Sequence, residues 1–326
     1  MIHIETVSYG GWARAVRLTN GRVEALVTQD VGPRILRFAF CGGANVFGEF
    51  PEQLGGVGEA DWKIRGGHRL WVAPQEQRST YEPDNGPVSI RRVPGGVQAM
   101  QDPGSVTGLR KTLGLVLSAE RDEATVTHRL TNAGRRAVRL APWALSVMAP
   151  RGEAVIPLPP KAAHGRWLLP TQVWSFWSYT DLSDPRWTIG PSYLRLRQDP
   201  RRGATKLGLS HRAGWAAYRR AGLLFVKAFP FRDKAVYPDG GVNFEVYADP
   251  RILELESLGP LVDLKPGQSV SHVETWGLYQ NVPACRSDTY RPGEKSAEKR
   301  ESALDMLADF AIFCSSVAWT LPSKVE

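Results

Sequence analysis

The stretch Tyr237-Pro238-Asp239-Gly240-Gly241-Val242-Asn243-Phe244-Glu245-Val246-Tyr247 sets a carboxylate between an amide and a phenol. A Pro-Asp-Gly-Gly turn leads into a strand, and alternate strand side chains go to opposite faces. Asn243, Glu245 and Tyr247 therefore share one face, and Val242, Phe244 and Val246 share the other. A carboxylate among hydrogen-bonding groups can hold a polyhydroxylated ligand, and it can also take or return a proton. The plainer reading of the same pattern is a strand with one wet face.

A second constellation is Arg65-Gly66-Gly67-His68-Arg69-Leu70-Trp71-Val72-Ala73-Pro74-Gln75-Glu76. Two glycines allow close backbone approach, and His, Arg, Trp and Glu follow. Arg69 and Trp71 alternate with Leu70 and Val72, so guanidinium and indole share a face that suits hydroxyls, a carboxylate or a sugar ring. His68 reads as a pocket residue, and Glu76 as a ligand contact. Trp177 lies in the aromatic run 174–187, beside Asp and Arg, on a stretch that is either a ligand lid or a loop pinned by its rings. Lys227 and Lys206 interrupt strand-like apolar runs, which points Lys227 into a polar cleft. Glu254 and Glu256 share a strand face that reads as solvated, because neighbours on one side of a strand do not flank a bond across a cleft. The face of His272, Glu274 and Trp276 reads as structural.

These residues need elements to position them, and period-2 patterns supply strands. Arg22–Val27, Arg34–Phe40, Leu113–Ala119, Ala124–Thr131, Ala137–Met148, Tyr193–Arg197, Lys206–Ser210, Trp215–Arg219, Leu223–Phe229, Val242–Tyr247, Ile252–Leu258 and Ser269–Tyr279 all alternate. Strands at such spacing, punctuated by Gly, Pro and Asn, argue an all-β antiparallel sandwich. Residues 50–68 and 150–192 read as long functional loops. After Pro283 the pattern changes, and 296–318 reads as a helix. The expected organisation is one β domain over 1–283 and a tail over 284–326. The helix either closes the sandwich or forms a homodimer contact.

The chain of 326 residues is long enough for one large β domain, and its 11 Trp suit both cores and sugar-ring stacking. Its 3 Cys are far apart and in odd number, so neither a disulfide framework nor a zinc site is indicated, and no metal or cofactor is expected. The net charge of +8 is spread over scattered Arg pairs without a nucleic-acid motif, which excludes a nucleic-acid partner and fits an anionic sugar or phosphorylated ligand better. No run is long enough to span a membrane, and no basic-then-apolar leader opens the chain, so a cytoplasmic protein is expected. No nucleophile elbow, P-loop, dinucleotide fingerprint or HExxH motif occurs.

The order of the pieces resembles the galactose mutarotase-like β-supersandwich superfamily, over roughly residues 10–282. Asp30-Val31-Gly32-Pro33-Arg34-Ile35 is similar to the opening of such domains, Val126 to Gly134 to their Asn-ending hairpin strand, and Leu264 to Ser269 to their last turn. Gly66 to Trp71 and Tyr237 to Glu245 resemble, within that superfamily, the bacterial family called domain of unknown function 4380 (DUF4380). The resemblance implies an antiparallel β-supersandwich in which a late carboxylate takes the proton of an anomeric hydroxyl while a histidine protonates the ring oxygen. Glu245 falls where that carboxylate belongs. The expected histidine is absent from Leu140–Met148, which leaves His68 as the acid candidate.

The candidate set is thus Glu245 and His68 as catalytic residues, with Arg34, Arg69, Trp71, Glu76, Trp177, Lys227, Tyr237, Asp239 and Asn243 as ligand contacts. The function expected is a mutarotase- or epimerase-like protein acting on a monosaccharide or sugar acid. Two alternatives stand beside it: a carbohydrate-binding protein without turnover, and a uronic-acid lyase using Tyr237.

Overall fold

The computed structural model describes residues 1–282. The expected helix at 296–318, the tail that carries it and a dimer contact through it lie outside the described residues.

Strands follow one another along the chain. They are β1 (His3–Tyr9), β2 (Trp12–Thr19), β3 (Val23–Thr28), β4 (Arg34–Phe40), β5 (His68–Ala73), β6 (Ser89–Val93) and β7 (Gly96–Met100). Next come β8 (Leu109–Leu117), β9 (Glu123–Asn132), β10 (Val138–Met148), β11 (Glu153–Pro157), β12 (Trp174–Phe176), β13 (Trp187–Ile189) and β14 (Tyr193–Arg197). The series ends with β15 (Thr205–Leu209), β16 (Trp215–Arg220), β17 (Leu223–Ala228), β18 (Phe244–Ala248), β19 (Leu253–Leu258), β20 (Val262–Leu264) and β21 (Ser269–Tyr279). Among the described residues, helix is confined to two single turns, Pro51–Gln53 and Gln77–Thr80. None of the described helices is long and apolar enough to cross a membrane.

Two antiparallel sheets result, as the alternation predicts. The first runs β1-β2-β3-β4-β5-β10-β19-β18-β15-β12, with β20 added beside β10. The second runs β13-β14-β11-β16-β17-β21-β9-β8-β7-β6. The largest core lies between them, where Phe38, Phe244, Val246 and Leu255 of the first sheet join Val126, Tyr218, Phe225 and Trp276 of the second. Each inward side chain follows from the strand period. In β9, for instance, Ala124, Val126, His128, Leu130 and Asn132 are buried while Thr125 and Arg129 are exposed.

Gly66 and Gly67 let β5 enter between β4 and β10. Both have positive φ, +93° and +71°, and a Cβ on them would come within 2.0 Å of the Gly48 carbonyl oxygen and 2.4 Å of that of Ile35. Only glycine tolerates such an approach.

The reading of 150–192 as loop is corrected. Short strands β11, β12 and β13 lie within it, and β11 pairs on both sides inside the second sheet. Its five buried residues, Glu153 to Pro157, give no alternation for a period-2 reading to detect.

Candidate functional site

Strand pairing gathers charge on the outer face of the first sheet. Arg69 stands opposite Leu145, Leu145 opposite Glu256, and Glu256 opposite Glu245. One row along, Glu254 stands opposite Tyr247, and Tyr247 opposite Lys206. These residues project away from the second sheet, yet other segments cover them. Trp62 and Tyr81 pack with Trp71 and Trp143. Trp177 approaches from the segment after β12. Glu245 has no solvent exposure, and Glu256, Glu254 and Lys206 are buried.

Lys206 Nζ lies 2.6 Å from Glu245 Oε2 and 2.9 Å from Glu256 Oε2. The Trp143 indole N–H donates to Glu256 across 3.0 Å. Arg69 makes an ion contact of 2.9 Å with Glu254. Both cations also sit over rings: Lys206 is 4.7 Å from the ring centres of Trp143 and Trp177, and Arg69 is 4.3 Å from Trp71 and 5.2 Å from Trp62. Cation–π attraction and ion pairing thus act on the same two side chains.

The charge count is uneven. Three carboxyl groups, Glu245, Glu254 and Glu256, face two cations, Lys206 and Arg69. Burial pushes the Glu245 carboxyl well above the usual carboxylate range, Glu256 and Asp239 add to the rise, and Lys206 opposes it. Burial likewise raises Glu254 against the pull of Arg69. For Lys206, burial alone disfavours charge, but Glu256 and Glu245 together outweigh it and raise its pKa. Lys206 therefore stays charged, and the carboxyl cluster retains a proton instead of holding a third buried negative charge. Glu245 Oε1, Glu256 Oε1 and the indole nitrogens of Trp62 and Trp71 are buried without a hydrogen-bond partner. Buried polar atoms of this kind are ordinarily satisfied, so those on this face mark places for a polar ligand or water.

The opposite face of the same strands holds a different cluster, and two sequence expectations are corrected there. His68 neighbours Arg69 in sequence, so the strand period turns it into the interior. Its Nε2 is 2.6 Å from His128 Nε2, and its Nδ1 is 2.8 Å from Ser146 Oγ. The tautomers follow from the partners. His128 Nδ1 donates to the His272 carbonyl at 3.0 Å, so its Nε2 accepts from His68. His68 Nδ1 is left to accept from Ser146. Ser257 donates to Glu274, so it accepts from His272 Nε2 at 2.7 Å. Burial lowers all three histidines, His128 and His272 to about 3, and keeps them neutral. His68 cannot reach a ligand beside Glu245.

Lys227 is likewise interior rather than in the cleft. It donates to the carbonyls of Ala144 and Leu255 and to Ser146, and pairs with Glu274 at 2.9 Å. The nitrogen and oxygen atoms of His68, His128 and Glu274 lie within 4.8 Å of one another. Ligands of a tetrahedral zinc ion stand about 3.3 Å apart for Zn–N bonds of about 2.05 Å. The 2.6 Å between the two imidazoles is hydrogen-bond spacing, and Lys227 already supplies the cation.

The other expected contacts divide. Arg69, Trp71 and Trp177 join the Glu245 cluster, and Asp239 acts on Glu245 through its charge. Arg34 stands opposite Arg69 on the same face, one strand further out, but is not turned to the carboxyl cluster. Its guanidinium is spent on Asp84 and on the carbonyls of Lys63, Ile64 and Gly66, which pins the covering segment. Asn243 is turned to the backbone of His211, accepting at 2.5 Å and donating at 3.1 Å. The Tyr237 hydroxyl accepts from the Arg232 amide at 2.8 Å, and its ring stacks on Phe231. Glu76 is exposed and bonded to Ser79 ahead of the single turn Gln77–Thr80. The candidate set left out Lys206, Glu254, Glu256, Trp143 and Trp62. The first three do carry a signal, since each interrupts a strand-like apolar run, and the expectation that Glu254 and Glu256 are solvated is corrected by their burial.

No family model matches this sequence, and no curated protein matches it. Solved structures share its fold. The Slr1438 protein from Synechocystis is 11% identical with a TM-score of 0.55, over 85% of this chain and 99% of that one. A galactose mutarotase-like protein from Lactobacillus casei is 9% identical with a TM-score of 0.54, over 81% of this chain and 100% of that one. A TPR-domain containing protein from Parabacteroides distasonis is 14% identical with a TM-score of 0.56, over 87% of this chain and 50% of that one. The chain has the galactose mutarotase-like β-sandwich fold.

Proposed function

We propose that the outer face of the first sheet is a carbohydrate site of mutarotase or epimerase type, in which Glu245 exchanges a proton with the sugar. The carrying observation is a fully buried carboxyl, raised in pKa, with one oxygen unpartnered, set among Trp71, Trp143 and Trp177. Glu245 and Glu256 are cross-strand partners sharing Lys206. A carboxyl pair holding one proton contains both an acid and a base. The ionised member takes the anomeric hydroxyl proton while the protonated member delivers one to the ring oxygen, the ring C–O bond opens, and reclosure on the other face returns both protons. This replaces the histidine acid, since His68 faces the core. The motifs at Gly66–Trp71 and Tyr237–Glu245 further support kinship with the DUF4380 family.

Binding without turnover is the second reading; because Lys206 and Arg69 each cover one face of these rings, a sugar here is held by hydrogen bonds more than by stacking on those faces. The lyase reading rests on Tyr237, whose hydroxyl accepts from the Arg232 amide and keeps its own proton. Polarimetry of fresh α-galactose and α-glucose tests the proposal. The wild type should speed mutarotation above buffer, and Glu245→Gln and Glu256→Gln should each abolish the effect. A sugar that binds by calorimetry with no rate above buffer supports the binding reading, and an accelerated rate unchanged in both variants overturns the proposal.

A further inference from the structure

Residues 160–171, between β11 and β12, are exposed without a break. Both ends of this loop are tied down. The Leu158 amide donates to the Ser192 carbonyl at 2.8 Å. At the other end the Val173 amide donates to Ser210 Oγ at 2.7 Å, and the Ser210 amide donates back to the Val173 carbonyl at 2.9 Å. Pro159, Pro160 and Pro170 stiffen the chain between these ties and remove amide donors. Trp167, Leu168 and Leu169 lie in this stretch and are 63%, 82% and 73% exposed. Among the described residues, eight of the thirteen exposed large apolar side chains fall between 167 and 189. Single exposed apolar residues are ordinary, but a concentration of them marks a surface that docks on something.

The charge around them has one sign. No Asp or Glu occurs from residue 154 to residue 180, while Lys161, His164 and Arg166 all lie in the exposed stretch. Neither Lys161 nor Arg166 makes an ion pair or a side-chain hydrogen bond with the described residues. Exposed arginines elsewhere do: Arg14 pairs with Asp30, Arg201 with Asp199 and Arg212 with Asp233. Trp settles at the boundary between lipid head groups and chains, Leu among the chains, and Lys and Arg at anionic head groups. An apolar triplet beside unpaired cations matches that order.

We propose that this loop docks the protein on an anionic lipid bilayer, with Trp167, Leu168 and Leu169 inserted at the interface and Lys161 and Arg166 on phosphate head groups. Such docking needs no spanning segment. A second copy of this chain is a poorer occupant, because a two-fold contact through the loop sets these cations against their own copies. The chain runs on from the loop through β12 to Trp177, which lies over Lys206, so the docked face adjoins the cover of the Glu245 cluster. The proposal does not depend on the chemistry proposed there.

Sedimentation of the full chain with vesicles tests it, using phosphatidylcholine alone and phosphatidylcholine mixed with phosphatidylglycerol at low ionic strength. The mixed vesicles should bind the protein about tenfold more tightly or better, and added salt should weaken that binding. Trp167→Ser/Leu168→Ser should lower the affinity about tenfold or more at unchanged Tm, because these exposed side chains hold little of the fold together. Lys161→Ala/Arg166→Ala should lower it about fivefold per cation and flatten the salt dependence. The proposal is overturned if mixed vesicles bind no better than phosphatidylcholine alone, or if either double variant stays within about twofold of wild type. It is overturned as well if ultracentrifugation without lipid shows an oligomer that Trp167→Ser/Leu168→Ser dissociates, which would make the loop a self-association surface.

Discussion

Replacing Glu245 by Gln should stabilise the fold while removing the proposed chemistry. The side chain is fully buried, and its cluster sets three carboxyls against two cations. Gln keeps the shape and leaves two against two, relieving the burial that raises Glu245. Each unit by which a folded-state pKa exceeds its unfolded value corresponds to about 1.4 kcal/mol. A gain at neutral pH is therefore expected, on the order of the 1 kcal/mol typical of a single substitution, about 2 °C in Tm for a chain of this size. The sign depends on pH. Below about 4.5 the carboxyl is protonated in both states and Gln gains nothing. The advantage grows as pH rises through that value and levels off above the raised folded pKa. Urea unfolding of both proteins from pH 4.5 to 8 reads it directly. A loss of about 3–5 kcal/mol at neutral pH, as when a buried ion pair loses one partner, would show that Glu245 is the counter-charge Lys206 depends on and refute the reasoning. Lys206→Met should do the reverse, costing about 3–5 kcal/mol at neutral pH and less as the pH falls.

Acid should weaken the fold through its histidines. Burial lowers His128 and His272 to about 3 and His211 to about 4, while the unfolded groups titrate near 6.5, so stability present above that pH is lost as pH falls toward the folded values. At pH 5 each contributes a loss of up to about 2 kcal/mol, partly offset by Glu245 and Glu254, and denaturant midpoints that rise from pH 7 to pH 5 would contradict this. Gly66→Ala should cost more than about 3 kcal/mol, because its Cβ would meet the Gly48 carbonyl at 2.0 Å with φ at +93°; a variant melting within a few degrees of wild type would show that β5 has room to shift.

The strand set was readable because most strands bury one face, and alternation reports that directly. Ser269–Tyr279 and Tyr193–Arg197 run over the residues expected. Strand β1 escaped because it lies at a sheet edge and is nowhere fully buried, and β11 escaped because it is buried throughout. The site was half legible. Alternation placed Arg69 with Trp71 and marked Glu245 as facing away from Phe244. It did not tell which face of β5, or of β17, looks inward, so His68 and Lys227 were credited to the cleft. Nor did it show that Trp62 and Trp177 return over the sheet and bury Glu254 and Glu256. That covering depends on contacts distant in sequence, such as Arg34 with the carbonyls of Lys63, Ile64 and Gly66.

His68 and Arg69 are adjacent in sequence and belong to separate charge systems on the two sides of one sheet. The backbone between them is thin enough for each side to feel the other: Glu256 and Glu254 favour the charged form of the interior Lys227, and Arg69 disfavours a charged His68. Sliding β5 by one residue against β10 would bring a guanidinium into the dry core and an imidazole under the tryptophans. No partly registered sheet is tolerable under that exchange, so the central strands have no cheap way to open alone. Their amides should exchange with solvent together, at the rate of global unfolding, while the edge strands β1 and β12 open earlier.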